Sequence, residues 1–154
     1  MSQRTVPMER WEDFEAAFYI GSPDARYFLN VESGEVVYTS HMDDEKVRGR
    51  ILERTRLPGW LELPRASTPE GMDEVRAFVA SETRPELLEA LTRSLAERVP
   101  LRAFMRVVYA DPQARARWAT DRIRAIHRRI LAFCEHEGLV IDHDRYRELT
   151  GSAR

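Results

Sequence analysis

The chain has 154 residues, 43% of them apolar and 32% charged, with a formal charge of -2 and one cysteine. That length suits one domain with its own core, and the composition is globular rather than disordered. No apolar run approaches the roughly 18 residues of a membrane span, and lone Cys134 excludes an intramolecular disulfide.

The first ten residues lack the apolar core of a secretory signal, which with the single cysteine predicts a reducing, cytoplasmic setting. Trp11, Phe14, Ala17 and Phe18 then recur at helical spacing and predict a helix over 8–19, ended by Gly21-Ser22-Pro23. Residues 26–39 form two β-rich runs around Ser33-Gly34, where glycine supplies the positive φ of a tight hairpin turn. Tyr27, Leu29 and Val31 share one face of the first strand; Val37 and Thr39 oppose Val36 and Tyr38 in the second. A hairpin alone is marginal in water, and Trp60-Leu-Glu-Leu63, bracketed by Pro58-Gly59 and Pro64, supplies a third strand. Between them, residues 43–56 carry a narrow stripe of Val47, Ile51 and Leu52 and read as a helix.

After Pro64 the period becomes helical throughout. Thr68 suits an N-cap with Pro69 at the first helical position, and Met72, Val75, Phe78 and Val79 share a face. A helix from Pro85 turns Leu87, Leu88, Leu91 and Leu95 inward and is broken at Pro100. Leu101, Phe104, Met105 and Val108 make a short helix ending before Asp111-Pro112. A long helix then spans 113–137, closed by Gly138 as a C-cap. Its apolar positions Ala119, Ile123, Ile126, Ile130 and Phe133 form a core-facing or partner-facing seam. Residues 1–7 and 150–154 are expected to fray. The whole reads as a single α+β domain, residues 1–154, with a small antiparallel sheet, hairpin plus third strand, in the N-terminal half and a helical C-terminal half.

Four landmarks in this order resemble a small bacterial family catalogued only as an uncharacterised protein family. They are Trp11; the hairpin from Tyr27 to Val36; the Trp60-Leu-Glu-Leu-Pro64 strand; and Leu91 to Phe104 followed by Trp118 and the Phe133-Cys-Glu-His-Glu-Gly-Leu139 helix end. Where relatives show Gly-Ala-Phe-Arg-Arg-Phe, this chain has Val99-Pro-Leu-Arg-Ala-Phe104, keeping Arg102 and Phe104. The resemblance implies a bacterial origin and this fold, and it transfers no site.

Charge is unevenly placed. Between Arg98 and Leu131 nine arginines meet only Asp111 and Asp121, whereas residues 1–97 hold 12 basic and 19 acidic side chains. Because every basic residue but Lys46 is arginine, as a GC-rich coding genome would produce, placement rather than abundance is informative. On the long helix Arg115, Arg122 and Arg129 are seven apart, with Arg117, Arg124 and Arg128 on neighbouring tracks. Six guanidiniums on one side would track phosphates without reading sequence, or would pair with the acidic N-terminal half as a solvated face.

Other chemistry is thin. Cys134, His136 and His143, with Asp142 or Asp144, lack the paired spacing of a zinc site, and Cys134 reads as a small core residue. His127 lies beside cations that disfavour its protonation, His41 sits in a loop, and neither has a nucleophile at a telling spacing. The aromatics Tyr27, Phe28, Tyr38 and Trp60 suit core packing on the sheet, any exposed remainder being a contact surface. No phosphate loop, dinucleotide fingerprint or hydrolase motif is present. The expected function is a non-catalytic protein-interaction or regulatory module, self-associating or binding a protein partner, without catalytic residues, cofactor or metal. The alternative is a sequence-independent nucleic-acid or polyanion binder using Arg115, Arg117, Arg122, Arg124, Arg128 and Arg129.

Overall fold

The structure, a computed structural model, describes residues 3–19, 25–64 and 68–151. The expected helix stop at Gly21-Ser22-Pro23 and the Thr68 side-chain cap lie outside the described residues. The α+β class holds: helices take 58% and strands 14% of the described residues, with a three-stranded antiparallel sheet in the N-terminal half and a helical C-terminal half. Two compact units emerge, residues 1–66 with 126–154, and residues 67–125.

In the first unit, β1 (Arg4–Pro7) leads to α1 (Trp11–Ala16), followed by the hairpin of β2 (Arg26–Asn30) and β3 (Val36–Thr39). α2 (Glu45–Arg54) precedes β4 (Trp60–Glu62), and the sheet order is β3-β2-β4, both pairs antiparallel. The hairpin closes as expected. Asn30 N–H donates to the Glu35 carbonyl, Gly34 N–H donates to the Asn30 carbonyl, and Gly34 sits at φ 79°. Strand alternation sends Leu29, Val31 and Leu63, with half-buried Tyr27, Val36 and Leu61, into the core, while Phe28 and Trp60 lie on the opposite face. α2, capped by the Asp44 carboxylate on Lys46 N–H, buries no residue fully, so its Val47 stripe packs only at the edge.

The long helix α6 (Pro112–Glu137) ends at Gly138, whose φ of 68° turns the chain into β5 (Leu139–Asp142); α7 (Asp144–Thr150) follows and ends on left-handed Gly151. β5 pairs in parallel with β1, Val6 opposite Ile141, and both side chains are buried. Residues 4–7 are a strand rather than a frayed end, because Arg4 N–H donates to the Gly138 carbonyl and Val6 fills the core, and Thr150 completes a capped helix; the expectation for residues 1–2 and 152–154 lies outside the described residues. Trp11, Phe14, Phe18, Leu29, Ile126, Ile130 and Phe133 share one core cluster with Val6 and Ile141 of this strand pair.

The second unit contains α3 (Thr68–Ala80), α4 (Pro85–Ser94), α5 (Pro100–Ala110) and residues 112–125 of α6. Pro85 and Pro100 each sit in the first turn of their helix, where the missing N–H has no intrahelical partner to lose. Phe78, Phe104 and Trp118 pack mutually edge-on with centroids 5.0 to 5.7 Å apart, each pair contributing about 1 kcal/mol beyond area burial. Val75, Leu91, Val108 and Ala114 complete that core.

The seam of α6 is displaced from its expected course. Ile126, Ile130 and Phe133 are buried as predicted, but Ala119 and Ile123 are exposed, Ile123 by 45%. Ala114, Trp118 and Ala125 take the inward places in the first part of the helix.

Candidate functional site

The six arginines of α6 do not share a side. At 100° per residue, positions seven apart drift by only about 20°, which keeps Arg115, Arg122 and Arg129 in one row. Arg117, Arg124 and Arg128 fall about half a turn away.

Tertiary partners divide the set again. Arg117 lies over Phe78, its guanidinium carbon 3.9 Å from the ring centre, while Nη2 donates to Glu82 Oε2 at 2.5 Å and Nη1 donates to the Ser81 hydroxyl. Arg84 continues the network: Nε donates to Glu82 Oε1 at 2.9 Å and Nη2 reaches Asp111 Oδ2 at 2.7 Å. The Glu82 side chain is 4% exposed. Burial raises the pKa of its carboxyl, but the Arg84 hydrogen bonds and the charges of Arg117 and Arg84 outweigh this and hold it below the usual range. Asp111 is held low in the same way, burial opposed by Arg84 and by the N–H groups of Gln113 and Ala114. Two guanidiniums and two carboxylates thus tie the α3–α4 loop to the start of α6.

Arg122 lies 5.6 Å from the Trp118 ring centre, and Arg129 Nη1 donates to the Phe18 carbonyl at 3.1 Å. Arg115, Arg124 and Arg128 are exposed, and no ion pair or hydrogen bond engages their side chains among the described residues. Three of the six therefore serve the fold, and three face solvent.

In the first unit, His127 Nε2 lies 3.1 Å from Glu15 Oε2, which also accepts from Trp11 Nε1 at 3.0 Å. The His143 ring stacks on Trp11 at 5.5 Å, and His143 Nδ1 accepts from Arg145 N–H at the start of α7. The Glu15 and His127 pairing escaped the sequence because the partners are 112 residues apart; helical spacing of Trp11 and Glu15 was its only local trace. His41 is exposed in the turn after β3. Cys134 is buried, and desolvation pushes its thiol up to about 12 despite a hydrogen bond with Tyr146. His136 is exposed, and no group of three or more His, Cys, Asp or Glu side chains could hold a metal ion among the described residues.

The sheet aromatics separate by face. Tyr27 stacks on Tyr38 at 5.4 Å across the hairpin, and half-buried Trp60 lies under Arg54 on the other side. A 270 Å³ hollow between α1 and the hairpin turn is lined by Glu9, Arg10, Asp13 and Glu35, but Arg10 already pairs with Asp13 and Glu35 with Arg54. Among the described residues no helix is long and apolar enough to cross a membrane. No family model, curated protein or solved structure matches the chain.

Proposed function

We propose that the chain is a non-catalytic protein-interaction or regulatory module of the bacterial cytoplasm. One observation carries this reading: Arg115 and Arg124 are exposed and without ion pairs among the described residues, and exposed Ala119 and Ile123 lie between them on α6. Charged and apolar groups interleaved on a rigid helix suit contact with a partner of opposite charge. The buried carboxylate network does not compete with that role, because its charges are internally satisfied by Arg84 and Arg117. Bacterial origin rests on the four landmarks of the family resemblance.

The test is capture from cytosolic extract at about 0.15 M salt, near physiological ionic strength. The native chain should retain a stoichiometric protein partner that a variant carrying Arg115→Glu and Arg124→Glu loses with its fold intact. A second reading draws on the same exposed guanidiniums, extended by Arg128: sequence-independent binding of nucleic acid or another polyanion. Retention on heparin with a steep salt dependence, abolished by Arg124→Glu with Arg128→Glu, would replace the first reading with this one.

A further inference from the structure

α5 is ordered on two faces. Ala103, Phe104 and Val108 fill the core of its own unit, while exposed Leu101 and Tyr109, with half-buried Met105 between them at four-residue spacing and packed partly on that core, form an outward ridge. Leu101 is 43% and Tyr109 55% exposed. Arg102 and Arg106 run beside the ridge, one position on from Leu101 and Met105, and Arg98 precedes the helix.

The helix itself contains no Asp or Glu, and none of these three guanidiniums has an ion pair or hydrogen bond among the described residues. Several other arginines of the same unit are paired, Arg76 with Asp73, Arg84 with Glu82 and Asp111, and Arg93 with Glu89. Arg102 also lies in the first helical turn, where the positive end of the helix dipole disfavours a cation and no acidic side chain offsets it. Uncompensated cations lining an apolar ridge are complementary to carboxylates lining an apolar stripe.

We infer that the outer face of α5 docks an acidic amphipathic helix of a partner protein. The partner's apolar residues lie along Leu101, Met105 and Tyr109, and its carboxylates reach Arg98, Arg102 and Arg106 in charge-assisted hydrogen bonds. Docking of the same face from a second copy would set arginines against arginines. This inference rests on the interaction reading and deepens it by naming the partner's chemistry, on a helix other than the one that carries that reading.

The probe is a labelled peptide of about 18 residues, long enough to form a helix, with leucines on one face and glutamates beside them. A scrambled peptide of the same composition and phosphatidylserine vesicles are run in parallel against the full chain. Fluorescence anisotropy should show binding that weakens at least about tenfold in Arg102→Glu with Arg106→Glu, and equally in Leu101→Ser with Tyr109→Ser. Arg115→Glu with Arg124→Glu should change it less than about twofold. All four α5 positions are exposed, and circular dichroism checks that each variant stays folded. Equal binding of the scrambled peptide, or indifference to Leu101→Ser with Tyr109→Ser, would reduce the effect to bulk charge and overturn the inference. Binding of vesicles through these residues without binding of the peptide would overturn it in favour of a lipid surface. Failure of the peptide to bind removes the α5 assignment alone, since the interaction reading stands or falls on the capture experiment with the α6 variant.

Discussion

The Arg117 guanidinium carbon sits 3.9 Å from the centre of the Phe78 ring. Phe78 belongs to the triad of edge-on rings with Phe104 and Trp118, so the cation covers the rim of that core while its nitrogens reach Ser81 and Glu82.

Replacing Arg117 by alanine should therefore lower unfolding stability by about 2 kcal/mol, from the lost cation–π contact and the charged hydrogen bonds to a buried carboxylate. Arg117→Lys should restore only part, because an ammonium keeps the charge but not the planar stack and fork. Urea denaturation followed by circular dichroism measures both, and an unchanged midpoint in Arg117→Ala would show the stack to be idle.

Acid should loosen the same region. Glu82 and Asp111 are held below their ordinary values of 4.5 and 3.8, so each binds fewer protons folded than unfolded near those pH values. Their stabilising contribution is complete above about pH 5 and is lost as pH falls through the ordinary and then the depressed values. Glu82→Gln should lower stability at neutral pH and flatten the decline between about pH 5 and pH 3. Thermal midpoints across that window check the slope, and a variant as acid-sensitive as the native chain would place the titration elsewhere.

Two glycines should respond oppositely to alanine. A Cβ on Gly34 would stand 1.6 Å from the Pro7 carbonyl oxygen, on a backbone at φ +79°, so Gly34→Ala should cost about 3 kcal/mol or more. A Cβ on Gly49, inside α2, would meet nothing within 4 Å, and Gly49→Ala should stabilise by about 0.5 to 1 kcal/mol through helix propensity. Chemical denaturation of the pair tests the hairpin's approach to residue 7 separately from general tolerance.

The displaced seam of α6 makes a similar contrast. Ile130→Ala should destabilise by about 3 kcal/mol, as a fully buried site does, whereas Ile123→Ala should stay within about 0.5 kcal/mol. Equal losses at the two positions would restore the seam that spacing alone suggests.

What could be read from the sequence follows from how local each cause is. The hairpin, β4 and the span of α6 were legible because Gly34, the Pro58-Gly59 and Pro64 brackets and Gly138 act on their immediate neighbours. β1 and β5 were not, since each has four residues and its partner lies more than 130 positions away; parallel pairing leaves no turn between strands to betray it. The arginine helix was legible as a charge feature and illegible as a surface. Whether Arg117 or Arg124 faces water depends on Glu82 and Phe78, which spacing within α6 does not reveal. The α5 ridge was hidden for a related reason: the spacing of Leu101, Phe104, Met105 and Val108 marks a helix but not its orientation, and only the packing of the unit buries Phe104 and Val108, half-buries Met105 and leaves Leu101 exposed.

The pairing of β1 with β5 has a consequence for the order of events during synthesis. Residues 67–125 form their unit from one continuous stretch, whereas the other unit joins residues 1–66 to 126–154. Val6 meets Ile141 only after residues up to about 141 have left the ribosome. Until then the nascent N-terminal hydrophobic side chains stay without their mates and exposed to chaperones, while the enclosed insert is free to fold first.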